Sequence, residues 1–151
     1  MNRWLIFAFL ILCLFPVRAA LLTIEDPCTG KAVQRDDWRE ELPRTVGSLT
    51  VATLERAQIP YLGNEVGIHS MLGTPLGDEA LEIINRMEMR SYGWCYEVDG
   101  EVPESLPNTF VITSKHKKIT WFFGYAHYVA GEWVSQCEKV SDTRPPFICS
   151  E

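Results

Sequence analysis

Short apolar runs rich in β-branched and aromatic residues, separated by turn formers, make up most of the chain after residue 20. Such runs are typical of strands. The two strongest are residues 93–98 and 119–125. Residues 80–90 alternate apolar and charged positions toward their end, which favours a strand, although their first half could equally be helical. Weaker strand patterns lie at residues 21–24, 66–70 and 110–112. The pattern therefore predicts a protein that consists mainly of sheet.

One segment has the spacing of a helix instead. Apolar residues recur there at intervals of three and four, namely Leu49, Val51, Ala52, Leu54 and Ala57. Ser48 or Thr50 can cap its start, and Pro60 prevents its continuation. We predict a helix over residues 48–59, and its apolar face has to pack on the sheet because so short a helix is not stable alone.

The connections between these elements carry turn signals. Asp99-Gly100 predicts a tight hairpin turn, and the chain can fold back again around Gly131. The charged stretch 31–44 interrupts the strand pattern, and we interpret it as a short surface helix or an excursion from the fold.

The first 20 residues have the three parts of a signal peptide. Arg3 precedes an apolar run of about 12 residues, and Val17-Arg18-Ala19 provides a cleavage site. The run is shorter than the roughly 18 to 20 residues that cross a membrane. We expect export to the periplasm or the medium, with cleavage after Ala19 or Ala20 and no membrane association afterwards.

The charge balance argues against polyanionic partners. The chain has 14 basic and 20 acidic residues, and loss of Arg3 and Arg18 with the signal leaves a net charge of −8. Nucleic acids and anionic membrane surfaces repel such a protein. The composition does not identify a positive partner.

Four cysteines remain after cleavage, and an even number in an exported chain predicts two disulfides. A metal site is the alternative, but no Cys-x-x-Cys pair occurs and no cysteine has a histidine at ligand spacing. Three pairings are open to Cys28, Cys95, Cys137 and Cys149.

Catalytic motifs are mostly missing from the sequence. There is no Gly-x-Ser-x-Gly elbow for a serine nucleophile, and the glycines of residues 63–77 lack the spacing of a phosphate-binding loop. The three histidines stand far apart in the sequence, and neither a metal nor another cofactor is expected. Four carboxylates in the charged stretch could form an acid–base pair, although a solvated face is their simpler interpretation: Asp36, Asp37, Glu40 and Glu41.

Residues 93–100, Gly-Trp-Cys-Tyr-Glu-Val-Asp-Gly, are followed about twenty positions later by Ile-Thr-Trp-Phe-Phe at 119–123. This combination resembles the transcobalamin-like carboxy-terminal domain family of the soluble-ligand-binding β-grasp group. Asp99 stands where the family usually has Asn. The likeness spans residues 21–129, whereas the stretch 31–44, the extension 126–151 and the cysteines depart from the family.

The resemblance implies an α+β domain of β-grasp type over residues 21–151, stapled by disulfides. One main helix would pack on a mixed sheet of four or five strands. First and last strands lie side by side in that fold, which implies that Cys28 pairs with Cys137 or Cys149 and that Cys95 takes the other.

Aromatic residues are concentrated in the two strongest strands, where either a core or a ligand groove would use them. We predict a non-catalytic binding module for a small molecule, a glycan or a partner protein. Its candidate ligand residues are Trp94, Tyr96, Trp121, Phe123 and Tyr125. The alternatives are an interaction protein without a pocket and an enzyme that uses the carboxylates of residues 36–41.

Overall fold

The computed structural model describes residues 20–38, 42–140 and 148–149. The predicted signal peptide and most of the carboxy-terminal tail lie outside them. In chain order the elements are β1 (Ala20–Glu25), β2 (Ala32–Trp38), β3 (Arg44–Thr45), α1 (Val46–Arg56), β4 (Tyr61–Asn64), β5 (Gly67–Met71), a 3₁₀ turn (Gly77–Ala80), β6 (Leu81–Asn85), β7 (Glu88–Val98), β8 (Val111–Ile112), β9 (Lys118–Val129) and β10 (Glu132–Lys139).

The predicted α+β class is confirmed, with one α-helix in the described part of the chain and a mixed main sheet. That sheet has six strands rather than the four or five expected. Its order is β2-β1-β9-β7-β6, and β10 also pairs with β9. Strands β1 and β9 run parallel, while the other pairs of this sheet are antiparallel.

Strand β9 lies at the centre of the sheet. One of its edges pairs with a single strand, and the other edge is shared by two strands. On one side β7 pairs with it from Ile119 to Val129. On the other side β1 pairs with it as far as Trp121, and β10 begins to pair at Gly124. Phe122 and Phe123 therefore lie opposite a gap between the ends of two described strands.

Helix α1 covers the part of the sheet that contains Trp121. It begins at Val46 rather than at residue 48, because the Thr45 side chain accepts a hydrogen bond from the Ser48 backbone and caps the start. Inside the first turn, Gly47 passes so close to Glu65 that a Cβ would overlap the carbonyl oxygen of that residue. A larger side chain at position 47 would push the helix away from its neighbour.

The stretch 31–44 was expected to be a surface helix or an excursion, and that prediction was wrong for most of it. Residues Ala32–Trp38 form β2, which pairs antiparallel with β1 and extends the sheet. Its strand pattern is hidden because the inward side of β2 carries Gln34 and Asp36 instead of apolar residues. Trp38 closes the strand, buried against the helix through a hydrogen bond to Thr53.

The segment 80–90 is a hairpin rather than one strand. Strand β6 pairs with the first part of β7, and residues 86 and 87 form the turn between them. The predicted turn at Asp99-Gly100 is present, with both residues at positive φ. The Asp99 carboxylate then accepts hydrogen bonds from the backbone of Lys117 and Lys118, which aligns the start of β9.

Both predicted disulfides are present. Cys28 is bonded to Cys149, and Cys95 is bonded to Cys137, with sequence separations of 121 and 42 residues. Loops of this length correspond to roughly 4 to 5 kcal/mol of stabilisation each in the chain-entropy model. The two bridges tie the end of β1 and the end of β10 to the rest of the molecule.

Two buried threonines, one in helix α1 and one on the face of the sheet opposite the helix, differ in hydrogen bonding. On the helix side, Thr50 donates to the Val46 carbonyl and accepts from Trp121 Nε1, both at 2.8 Å. On the far side, the buried Thr120 hydroxyl has no hydrogen-bond partner among the described residues. An unsatisfied hydroxyl costs stability that a methyl group of similar shape does not.

We therefore expect Thr120→Val to raise the free energy of unfolding by about 1 kcal/mol. The matched variant Thr50→Val should lower it by about 1 to 3 kcal/mol, because the buried Trp121 N–H then loses its acceptor. Urea unfolding of both variants checks the pair, and a destabilised Thr120→Val protein would show that its hydroxyl is hydrogen-bonded.

Candidate functional site

The five candidate aromatic residues share one face of the sheet. Alternate residues of a strand point to the same side, and cross-strand pairing places Tyr96 opposite Trp121 and Trp94 opposite Phe123. Tyr125 follows on the same side, opposite Tyr92. They form one continuous row that starts beneath α1 and runs past the helix.

Two members of the row belong to the core. Trp121 is 2% exposed and donates its indole N–H to Thr50. Tyr96 is 7% exposed, packs on Trp121 with ring centroids 5.5 Å apart, and donates its hydroxyl to the Ser105 carbonyl. Neither ring presents a surface on which a ligand could stack.

The other three surround a second, smaller core that includes Tyr92 and Ala80. Phe123 is buried there, and Trp94 packs on its edge while donating to Thr74 Oγ1 at 2.8 Å. Tyr125 is partly exposed, with the Arg90 guanidinium 5.2 Å from the centre of its ring. The row therefore passes from buried rings to a more polar end.

A cavity of about 460 Å³ opens at the gap in the pairing of β9, and we call it the notch. Phe122 and Phe123 close its floor, and it is further lined by residues 25–31, Lys139 and Val140. Trp94 and Trp121 do not line it. Among the five candidate residues, Phe123 is the one that does.

The turn that forms one wall of the notch is held by Asp26. Its carboxylate accepts hydrogen bonds from the backbone of Cys28 and Thr29 and from the Thr29 hydroxyl, at 2.8 to 3.0 Å. Partial burial acts to raise the pKa of Asp26, but the hydrogen bonds outweigh it and the pKa lies below its ordinary value. The turn is thus fixed at neutral pH with Asp26 charged.

Both disulfides border the notch. Cys28 lines it and is bonded to Cys149. Cys95 is the cross-strand neighbour of Phe122, and its partner Cys137 lies in β10, two residues before Lys139. Covalent bonds therefore hold the turn on one side and β10 on the other, which pre-organises the cavity between them.

One cation lies directly over the floor of the notch. Lys139 Nζ is 4.8 Å from the centre of the Phe122 ring and 2.7 Å from a carboxylate oxygen of Glu97. Lys31 adds a second positive charge to the lining. The notch thus combines an apolar floor with charged edges, which suits a small molecule that has both characters.

A polar cluster occupies the outer end of the aromatic row. The Glu82 carboxylate accepts from the Tyr92 hydroxyl at 2.7 Å and from Arg90 at 3.2 Å, and Glu88 lies 2.9 Å from His127. Burial raises the pKa of Tyr92 to about 12, and the Glu82 carboxylate acts in the same direction while Arg90 opposes it.

Of the four acids proposed for catalysis, the two that the structure describes, Asp36 and Asp37, do not form a pair. Both carboxylate oxygens of Asp36 are engaged, one by Arg56 and the other by Thr53. Asp37 points to the opposite side of β2, because neighbouring residues of a strand alternate. Glu40 and Glu41 lie outside the described residues.

Residues 20–38, 42–140 and 148–149 contain no group of three His, Cys, Asp or Glu side chains that could hold a metal ion. Over the same residues, no helix is long and apolar enough to cross a membrane.

Several residues of these sites were missed in the sequence. Phe122 is one of several adjacent aromatic residues of a strand, and nothing in the sequence distinguishes Asp26 or Lys139 from other charged residues. The outer polar cluster did leave a signal, since Glu88, Arg90 and Tyr92 occupy alternate positions before Trp94. The notch left no signal in the sequence, because it forms where the ends of β1 and β10, which are far apart in the sequence, lie beside β9.

Searches against protein-family models, curated proteins and solved structures each found no match to this chain. What the notch can bind has to be inferred from its own residues.

The raised pKa of Tyr92 has a consequence for alkaline stability. An exposed tyrosine ionises near pH 10, so the folded state holds the Tyr92 proton more tightly than the unfolded chain does. Its contribution to stability is complete below about pH 10 and is lost as the pH rises toward about 12. Tyrosinate absorbance should show one ionisation near pH 12 that disappears in Tyr92→Phe and persists in Tyr128→Phe. If the step persisted in Tyr92→Phe, the assignment to Tyr92 would be contradicted.

Proposed function

We propose that the protein is a non-catalytic exported binding module that holds a small molecule in the notch. The observation that carries the proposal is the position of the cavity, which opens where β9 lacks a partner strand and is bordered by both disulfides. A cavity with cross-linked walls changes little on binding, so little free energy is lost to ordering. Its volume of about 460 Å³ is within the range of small-molecule sites.

The lining favours a ligand with an apolar body and a polar edge. Phe122 and Phe123 exclude water from the floor, while Lys31 and Lys139 lie at the rim. A ligand that carries a hydrogen-bond acceptor or a negative group would therefore be oriented with its polar edge toward these lysines. A glycan or a segment of a partner protein is a less suitable occupant of so small a cavity.

Export is supported by two independent features. Residues 1–20 have the pattern of a signal peptide, and two disulfides of this kind persist in oxidising compartments. We further propose that the fold is of β-grasp type and related to the transcobalamin-like domains. Support for this comes from the parallel pairing of β1 with β9 and from the one α-helix of the described residues, which packs on the sheet.

A second candidate function is protein–protein interaction. The turn before β7 and the turn before β10 lie side by side, joined by a hydrogen bond from the Ala130 N–H to the Met87 carbonyl. Exposed apolar side chains surround this pair of turns, namely Ile83, Ile84, Met87, Trp133 and Val134. Exposed apolar groups of this kind are common at interfaces between proteins.

Nuclear magnetic resonance separates the two candidates. We expect small ring compounds with one acidic group to shift the backbone amide signals of residues 25–31 and 122–123, with saturation at high concentration. Lys139→Gln should weaken this binding several-fold, because a charged hydrogen-bonding group at the rim is lost. Lys117→Gln is the matched control, since it removes an exposed lysine that does not line the notch.

Saturable shifts confined to residues 83–87 and 133–134 would place the compound outside the notch and overturn the notch proposal. Equal weakening by Lys117→Gln and Lys139→Gln would also overturn it, since the attraction would then be a property of the whole surface.

A further inference from the structure

A second concavity lies on the face of the sheet opposite α1. It encloses about 690 Å³, and we call it the cationic groove. It shares Glu25, Gly30 and Lys31 with the notch, but the rest of its floor, formed by Leu21 and Thr23 of β1, is its own. Its lining consists of Leu21, Thr23, Glu25, Gly30, Lys31, Ala32, Arg35 and Lys118.

Three positive charges from three different elements converge there. Arg35 is the cross-strand neighbour of Thr23, and Lys118 is the neighbour of Leu21 on the other side of β1. Lys31 completes the set from the turn before β2. In the described part of the chain, none of these three forms an ion pair within 4 Å.

This cluster of positive charge is opposite in sign to the net charge of the whole chain, which is −6. The lining of the groove contains one acidic residue, Glu25, and three basic residues. Asp37 lies on the same face beside Leu21, and Glu97 on β7 is already paired with Lys139. The lining therefore keeps a local excess of positive charge in an acidic protein.

The floor of the groove contains an unused donor. Thr23 is 4% exposed, and its hydroxyl has no hydrogen-bond partner among the residues that the structure describes. Buried hydroxyls are normally paired. A hydroxyl below three cations is the arrangement in which an oxyanion could provide the missing acceptor.

We propose that the cationic groove is a binding site for a tetrahedral oxyanion, a phosphate or sulfate group carried on a small molecule. Arg35 supplies two parallel N–H donors, which match two oxygens of such a group, and Lys31 and Lys118 act as point charges on either side. The Thr23 hydroxyl is out of contact with solvent in this structure, and it donates from below once the side chain turns toward the anion. The groove and the notch share Glu25, Gly30 and Lys31, but Thr23, Arg35 and Lys118 line the groove and not the notch, so occupation of the groove does not depend on the proposed function.

The probe for this site is inorganic phosphate, with inorganic sulfate in a parallel titration, added at low ionic strength to the wild-type protein. We expect saturable shifts of the backbone amides of Thr23, Arg35 and Lys118. Arg35→Gln should weaken binding roughly tenfold, because the two-pronged contact is lost. Thr23→Val should also weaken it roughly tenfold, because a hydroxyl that donates to a charged oxygen forms a charge-assisted hydrogen bond.

Arg86→Gln is the matched control, because Arg86 is exposed in the turn between β6 and β7 and the change in net charge is the same. It should leave the affinity within about twofold, since long-range attraction at the surface is weak. Thermal unfolding verifies that each variant is folded, which the exposure of Arg35 leads us to expect.

Two results would overturn the proposal. One is the absence of saturable shifts with either anion. The other is an equal loss of affinity in Arg35→Gln and Arg86→Gln, which would reduce the effect to general attraction. Because inorganic phosphate has no apolar body, shifts at Phe122 and Phe123 are not expected, so a failure of this site and a failure of the notch are distinguishable.

Discussion

The pairing of strand β9 is the constraint on which the rest of the structure depends. An interior strand needs a partner on each edge, because an unpaired buried backbone group costs free energy. Strand β7 satisfies one edge of β9 along nearly its whole length, but the other edge is shared by β1 and β10. These two approach from distant parts of the sequence, and their ends are separated by Phe122 and Phe123.

The core follows from this arrangement. Where β1 pairs with β9, helix α1 covers the sheet, and the hydrogen bond between Trp121 and Thr50 fixes the helix to the central strand. Where β10 takes over, the helix no longer covers the sheet and a smaller aromatic core around Tyr92 and Phe123 replaces it. The two disulfides anchor the ends of β1 and β10, which are the elements that change at this point.

Much of the local structure could be predicted from the sequence, because it depends on near neighbours. The spacing of Leu49 and Leu54 predicted the helix, and Asp99-Gly100 predicted a hairpin turn that is present. Strand β2 was missed because Gln34 and Asp36, on its inward side, hydrogen-bond or pair with neighbours rather than forming an apolar face. A charged residue is tolerated on this side because Asp36 pairs with Arg56 of the helix, and the sequence of the strand alone does not reveal that contact.

The candidate site was harder to predict for a related reason. Trp121 and Phe123 have the same character in the sequence, yet one lies under the helix and the other beside a cavity. Which aromatic residue reaches a cavity depends on where β1 ends relative to β9, and that is set by the turn at Asp26 and by long-range pairing. The charges of the cationic groove, at positions 31, 35 and 118, are likewise brought together only by the sheet register.

The central claim is that β9 has a gap in its partner strands at Phe122 and Phe123, and hydrogen exchange measured amide by amide along β9 tests it most directly. Alternate backbone N–H groups of a strand point to opposite edges, so one of these two amides faces β7 and the other faces the notch. We predict slow exchange for the amides paired with β1, β7 and β10, and fast exchange for the single amide that faces the notch. Equally slow exchange at both Phe122 and Phe123 would show that another part of the chain closes the gap, and would contradict the account.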